Sequence, residues 1–261
     1  MSEQAVAAAR LPALDGAPLH PEMERMELSV LVPTYNEAAT VETALERVLA
    51  ADLGVKSAEV VVVDDGSTDG TREALLGRDW PAAVRVVMHE RNRGKGAAVR
   101  TALAEARGTW TTILDADLED DPASIAELVA PLRAGTADAV YGIRGFQAHS
   151  SYSFWYVAGN KAVSLAANVL YNSWLADIMT CHKLIPTELF RSLDLREPGF
   201  AIEAEITARL LQSGARIYEV PVVYAARTRE EGKKLTGRDG LRVLQTLVRC
   251  RLEFGRRRNG P

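Results

Sequence analysis

From Leu28 to Tyr141, short apolar runs alternate with stretches of helical periodicity. Leu28–Val32, Glu59–Val63, Val84–Met88, Trp110–Leu114 and Asp138–Tyr141 are rich in Val, Ile and Leu. Runs this short and this continuously apolar predict strands covered on both faces. Between the first two, Val41, Ala44, Leu45, Val48 and Leu49 recur at the spacing of one helical face. Lys95–Arg107 and Pro122–Arg133 are further predicted helices, the second with proline at its first position. A β-α-β-α order of this kind predicts an α/β fold, a mostly parallel sheet with helices on both faces. Ligands of such sheets bind beyond the carboxyl ends of the strands.

After Arg144 the pattern changes. Residues 146–174 carry Phe146, Tyr152, Phe154, Trp155, Tyr156, Tyr171 and Trp174, and Phe154, Ala158, Ala162, Leu165 and Val169 fall on one helical face. A strand-like Ile217–Tyr224 follows, then a basic stretch, then a predicted helix at about Asp239–Phe254. The expected organisation is a flexible leader over residues 1–25, one domain over residues 26–255 and a basic tail over residues 256–261. Hydrophobic residues make up 47% of the 261, enough for a sizeable core, but no apolar run approaches the ~20 residues of a membrane-spanning helix.

The net charge of −4 argues against a nucleic-acid binder. Its distribution is uneven: Arg227–Pro261 holds 11 basic and 4 acidic residues, a net of +7, which leaves −11 on the rest. Two cysteines, Cys181 and Cys250, make no disulfide framework, and acidic Glu3 stands where a secretory signal would be basic. Both point to a reducing, cytoplasmic setting.

Candidate chemistry gathers at the strand ends. Asp115-Ala116-Asp117-Leu118-Glu119 follows Trp110–Leu114. On an extended backbone residues i and i+2 point the same way, so the three carboxylates are expected to converge, and an all-oxygen cluster suits Mg²⁺ or Mn²⁺. An acid-rich helix start, with Asp120 and Asp121 before Pro122, accounts for the same residues. Asp64-Asp65-Gly66-Ser67-Thr68-Asp69-Gly70 ends the second strand. There Ser67–Gly70 are expected to shape a turn and Asp64 to meet the base or ribose of a nucleotide. Pro33-Thr34-Tyr35-Asn36-Glu37 ends the first strand and offers an aromatic face and a carboxylate. Arg91-Asn92-Arg93-Gly94-Lys95-Gly96 sets cations and bare backbone at a helix start, a diphosphate-binding arrangement.

Taken together and in this order, Pro33–Glu37, Asp64–Thr71, Arg93–Gly96 and Asp115–Glu119 resemble the N-terminal motifs of family 2 glycosyltransferases of the GT-A fold. Gly142-Ile143-Arg144, Asp177–Lys183, Glu219-Val220-Pro221 and Arg227–Lys234 are similar to the polyprenyl-phosphate branch, the dolichol-phosphate mannose and glucose synthases. The resemblance spans about residues 27–254. It implies that Pro33, Tyr35, Glu37, Asp64 and Asp65 hold the nucleoside of a nucleotide-sugar donor, with Arg93, Lys95, Asp115 and Ala116 beside its diphosphate. It implies Mg²⁺ or Mn²⁺ on Asp115, Asp117 and Glu119. It makes Arg144, Arg227 and Lys234 candidates for the phosphate of a polyprenyl-phosphate acceptor, with Asp117, Arg144 and Arg227 central to catalysis. Two departures, Glu119 in place of the usual Gln and the sequence of Asp177–Lys183, leave the sugar open.

A phosphate acceptor is already ionised near neutral pH and needs no general base. Correspondingly, His89, His149 and His182 lie outside the core motifs and are expected to be structural. A hydroxyl acceptor would need a base, for which Glu203 and Glu205 are candidates; a nucleotide-sugar sensor is the non-enzymatic alternative. The aromatic segment 146–174 and the basic tail are expected to meet an anionic membrane surface from the cytoplasmic side. An oligomer interface is the other account of the aromatics.

Overall fold

A computed structural model of the chain describes residues 26–133, 135–144, 154–225 and 237–258. The strands are β1 (Glu27–Thr34), β2 (Ser57–Asp64), β3 (Val84–Met88), β4 (Trp110–Ile113), β5 (Ala139–Arg144), β6 (Lys183–Pro186) and β7 (Ile217–Val222). The helices are α1 (Val41–Ala50), α2 (Thr71–Leu76), α3 (Lys95–Glu105), α4 (Ile125–Arg133), α5 (Phe154–Tyr171), α6 (Thr187–Ser192), α7 (Ile202–Ser213) and α8 (Gly237–Arg258). Pro122–Ser124 forms a 3₁₀ turn that runs into α4, so the predicted helix over Pro122–Arg133 begins as that turn.

One seven-stranded sheet has the order β3-β2-β1-β4-β6-β5-β7. Among the described strands only β6 runs against its neighbours, pairing antiparallel with β4 and β5 through two residue pairs each. Val30, Val32, Val60 and Val62 face one core with α1 and α4, while Leu31, Val61 and Val63 face another with α3, α6 and α7. That two-sided burial is why these strands read as continuous apolar runs, and each fully buried side chain contributes roughly 1.5–3 kcal/mol. The chain crosses from β1 outward to β2 and β3, then returns to β4 on β1's other side. This reversal opens a crevice at the carboxyl ends of β1 and β4.

A third core joins α5 and α8 to α7 through Val163, Ala167, Ala204, Ala208, Val243, Leu247 and Cys250. The packing side of α5 is Asn160, Val163, Ser164 and Ala167. The apolar face read from the sequence points the other way: Phe154, Leu165 and Val169 are 73%, 58% and 75% exposed. Small residues let α5 approach its neighbours closely, which leaves the bulky ones outside. Leu49 of α1 likewise sits outside the buried stripe.

Candidate active site

The crevice is a cleft of about 390 Å³, lined by Pro33, Tyr35, Glu37, Asp65, Lys95, Asp115, Ala116, Asp117, Glu119 and Arg144 among others. Its size suits a small ligand. The loops that build it are tied to one another through side chains. Asn36 lies in the left-handed region, with φ of 50°. Its amide hydrogen bonds to Ser67 Oγ (2.9 Å) and its side-chain oxygen accepts from Thr68 N (2.9 Å). Glu37 N and Ala38 N donate to Thr71 Oγ1 and Asp69 Oδ2. The Asp-Gly-Ser-Thr-Asp-Gly turn therefore holds the Tyr35–Glu37 loop in place.

Of Asp64 and Asp65, both expected at the nucleoside, only Asp65 lines the cleft. Asp64 is fully buried, accepts from Arg72 Nε and Nη2 (3.2 and 3.1 Å) and from Ser67 N, and does not line the cleft. As the last residue of β2 its side chain points into the α2 side of the sheet. Asp65, one residue on, reaches the cleft. It accepts from Arg93 N (2.9 Å) and Gly94 N (2.7 Å), and His89 Nδ1 lies 2.6 Å from it while His89 Nε2 meets Thr101 Oγ1 at 2.9 Å. His89 is thus a buried bridge between a loop and α3.

Arg93 contributes its backbone; its side chain is exposed and outside the cleft lining. Gly94, with φ of 94°, and Gly96 lie so close to Glu197 and Pro198 that a Cβ at either would collide with those residues' backbone. The glycines therefore dock the loop against the start of α7. Lys95 Nζ lies 2.7 Å from Asp115 Oδ2 and 3.1 Å from Glu203 Oε1. Burial opposes its charge, but the two carboxylates outweigh burial and hold its pKa well above the ordinary lysine value. Glu203 Oε2 in turn is 2.6 Å from Lys183 Nζ, completing a buried chain of alternating charges.

Asp115, Asp117 and Glu119 all line the cleft, but not by strand alternation. β4 ends at Ile113, and Leu118 has φ of 62°, so the backbone turns between the second and third carboxylates. Asp117 Oδ1 accepts from Glu119 N (3.1 Å) inside that turn. Burial, together with repulsion from Asp117, pushes Asp115 up to about 6 even though Lys95 opposes the shift. Strain of this kind among oxygen ligands is relieved by a divalent cation, so the donor set fits Mg²⁺ or Mn²⁺. Glu119 is 8% exposed and accepts a short hydrogen bond from Tyr224 Oη, and its carbonyl accepts from Ala225 N (2.7 Å). Asp121 performs the helix-start role, its side chain accepting from Ala123 N.

Arg144 is buried at the cleft wall. Its Nε and Nη2 bind the two oxygens of Asp177 (2.7 and 2.9 Å), Nη1 donates to Tyr156 Oη (3.0 Å), and the guanidinium lies 5.2 Å from the Tyr224 ring centroid. Although burial raises the cost of the Asp177 carboxylate, Arg144 and the Asn160 side chain hold its pKa below the ordinary value. Arg227 and Lys234 lie outside the described residues. Tyr156, Tyr224, Met179, Phe200 and Cys181 complete the walls. The sequence marked Tyr156 only as one aromatic among many, and nothing in its spacing singled out Tyr224.

Both candidate bases are occupied. Glu203 is held by two lysines; Glu205 is fully buried, accepts from Arg196 N and Glu197 N and pairs with Arg209, outside the cleft lining.

Residues 29–193 match the protein family described as Glycosyl transferase family 2. The chain is 36% identical over 126 residues to the dodecaprenyl-phosphate galacturonate synthase of Rhizobium johnstonii, covering 47% of this chain and 37% of that one. It is 27% identical over 228 residues to the dolichol-phosphate mannosyltransferase of Pyrococcus furiosus, covering 86% and 63%. It thus spans less than two thirds of the length of these curated relatives. Among solved structures, glucosyl-3-phosphoglycerate synthase from Mycobacterium tuberculosis with Mn²⁺, uridine diphosphate and phosphoglyceric acid superposes with a TM-score of 0.66 at 23% identity, covering 87% and 78%. The fold is the GT-A fold of such glycosyltransferases.

Proposed function

The chain belongs to glycosyl transferase family 2, and we propose that it transfers a hexose from a UDP- or GDP-linked donor to a polyprenyl monophosphate. The observation that carries the choice of acceptor is the engagement of Glu203 and Glu205 in buried ion pairs. A hydroxyl acceptor requires a proton acceptor, whereas a phosphate is ionised before it binds. The curated relatives named for dodecaprenyl phosphate and dolichol phosphate support the same choice.

Asp115, Asp117 and Glu119 would hold Mg²⁺ or Mn²⁺, which when bound supplies charge neutralisation for a leaving diphosphate. The other residues position and balance charge. Lys95 fixes Asp115 and keeps one carboxylate of the trio paired. Asp65 fixes the Arg93–Gly94 backbone beside the donor site. Tyr35 offers a face for the nucleobase. Arg144, paired with Asp177, orients Tyr156 and Tyr224 at the wall that the acceptor phosphate would meet, with Arg227 and Lys234 assigned to the same acceptor phosphate. Attack in line with the leaving diphosphate inverts the anomeric carbon.

No described helix is long and apolar enough to cross a membrane. The outward faces of α5 (Phe154, Trp155, Leu165, Val169) and α8 (Leu241, Leu244, Val248, Leu252) nonetheless expose large apolar side chains, and Trp174 is 86% exposed. Such faces favour a peripheral position at a membrane surface, where a polyprenyl phosphate resides. The test pairs the purified chain with UDP- and GDP-hexoses, Mn²⁺ or Mg²⁺ and a short-chain prenyl phosphate. A glycosyl phosphoprenol is expected, and Asp117→Ala should abolish it. Transfer to a sugar hydroxyl with none to the prenyl phosphate would overturn the proposal.

A further inference from the structure

Behind the acidic turn lies a group of side chains with different donor chemistry. Asp120, Cys181 and His182 are 7%, 7% and 0% exposed, and one carboxylate oxygen, Sγ and one ring nitrogen lie within 4.8 Å of one another. Cys181 Sγ is already 2.8 Å from Asp120 Oδ2. Both ring nitrogens of His182 are buried with no hydrogen-bond partner. A buried polar group left in that state is costly, and a bound ion would remove the cost for one of the two nitrogens. Gly142 of β5 lies beside His182, and a Cβ there would sit 3.0 Å from His182 Cβ.

We propose that Asp120, Cys181 and His182 form a second metal site, distinct from the oxygen-only trio, that binds Zn²⁺. The donor set decides the metal. Thiolate, imidazole and carboxylate together suit Zn²⁺, which takes four ligands at about 2.0–2.3 Å. The all-oxygen Asp115, Asp117 and Glu119 suit the harder Mg²⁺ or Mn²⁺. Binding replaces the Cys181 thiol proton, which leaves to solvent, and Zn²⁺ with one thiolate and one carboxylate is neutral overall, the form that tolerates burial best. One orphaned imidazole nitrogen gains a partner. Asp120 and Cys181 also line the cleft.

The ion would join the acidic turn, through Asp120, to Cys181-His182, which leads directly into β6. Clamping them together fixes the turn that carries Asp117 and Glu119. The site does not depend on which acceptor or sugar the cleft takes.

The experiment uses the untagged full chain, stripped with chelator and loaded with Co²⁺ as a spectroscopic stand-in for Zn²⁺. Wild type should show a thiolate-to-cobalt charge-transfer band and tetrahedral ligand-field bands, both erased by Zn²⁺, and should retain roughly one equivalent of Zn²⁺ after dialysis. Cys181→Ser and His182→Ala, checked for folding by circular dichroism, should lose the charge-transfer band and retain less Zn²⁺. Cys250→Ser should keep the band, because Cys250 lies in the α8 core, and Asp117→Ala should keep it because the oxygen trio is separate. Folded wild type with no charge-transfer band and no retained Zn²⁺ overturns the proposal and leaves a thiol–carboxylate hydrogen bond. A band that survives Cys181→Ser also overturns it.

Discussion

Glu203→Gln tests the charge chain that holds the acidic turn. Glu203 Oε2 is 2.6 Å from Lys183 Nζ, and Oε1 is 3.1 Å from Lys95 Nζ, with the side chains of Lys183 and Glu203 only 0% and 3% exposed. At an effective dielectric constant of about 20, charges at those separations attract by roughly 6 and 5 kcal/mol before desolvation is counted. Removing one partner of a buried pair costs about 3–5 kcal/mol net. Lys95 keeps Asp115, so Lys183 is the stranded charge and the lower end, about 3 kcal/mol, applies. That is a large share of a typical total of ~5–15 kcal/mol. The loss has a pH signature. Burial already holds Lys183 below the ordinary lysine value of 10.5, with Glu203 opposing the shift. Without Glu203 the folded pKa falls further, so between that value and 10.5 the unfolded state binds the extra proton and stability rises with pH. Urea unfolding should therefore show the deficit near neutrality and its shrinkage as pH rises toward 10.5. Adding Lys183→Met should restore part of it at neutral pH. A Glu203→Gln variant within about 0.5 kcal/mol of wild type, flat with pH, would falsify the buried-pair account.

The remaining predictions follow from other contacts in the same region. Asp177→Asn should cost about 3 kcal/mol near neutrality by stranding Arg144. Because Arg144 holds the Asp177 pKa below 3.8, that stability is present above 3.8 and lost as pH falls through the lower folded value, so the Tm gap to wild type should close in acid; a gap that widens in acid contradicts the pairing. Asp65→Asn replaces an acceptor of two backbone N–H groups by an amide, and should speed hydrogen exchange at Gly94 while raising KM for the donor; unchanged exchange at Gly94 would separate Asp65 from the loop. Trp155→Asp with Val169→Asp should leave unfolding midpoints within about 0.5 kcal/mol, since both side chains are exposed. It should weaken binding to anionic vesicles about tenfold or more, as each buried apolar side chain contributes roughly 1.5–3 kcal/mol. Unchanged flotation combined with loss of a dimer in sedimentation would assign the face to a second copy.

The parallel half of the sheet was legible because its physics is local: a strand buried on both faces carries consecutive apolar residues, as Val30–Val32 and Val60–Val63 do. β6 was not, because Lys183–Pro186 makes only two pairs with each neighbour and its first residue is a lysine neutralised by a helix 20 positions away. α7 was hidden for the same reason. Glu203, Glu205 and Arg209 are buried in it, so its polar positions do not mark a solvent face. At the site, motif order located the cleft correctly, but side-chain direction depended on single backbone angles. Leu118 in the left-handed region replaces the assumed extended run, and the end of β2 hands the cleft to Asp65 rather than Asp64. On α5, periodicity found the apolar face but carried no information on which face packs inward. The small residues Ser164 and Ala167 lie on the buried side of α5, and Ala167 packs in the core with α7 and α8.

The charge count along the cleft links these observations. Among the described residues its walls carry seven carboxylates, Glu37, Asp65, Asp115, Asp117, Glu119, Asp120 and Glu203, against two cations, Lys95 and Arg144. Both cations bind carboxylates, so a diphosphate entering this field meets net repulsion. At an effective dielectric constant of about 20, one unopposed like charge at 4 Å costs roughly 4 kcal/mol. A divalent cation on the trio would lower that excess from five negative charges to three, and the sequence concentrates further basic residues from Arg227 onward. The bridge from Asp120 to Tyr224 and the hydrogen bond from Tyr224 to Glu119 tie the acidic turn to the segment that leads into them. A cation bound at Glu119 would therefore be energetically coupled to the position of Tyr224, because both would compete for the same carboxylate.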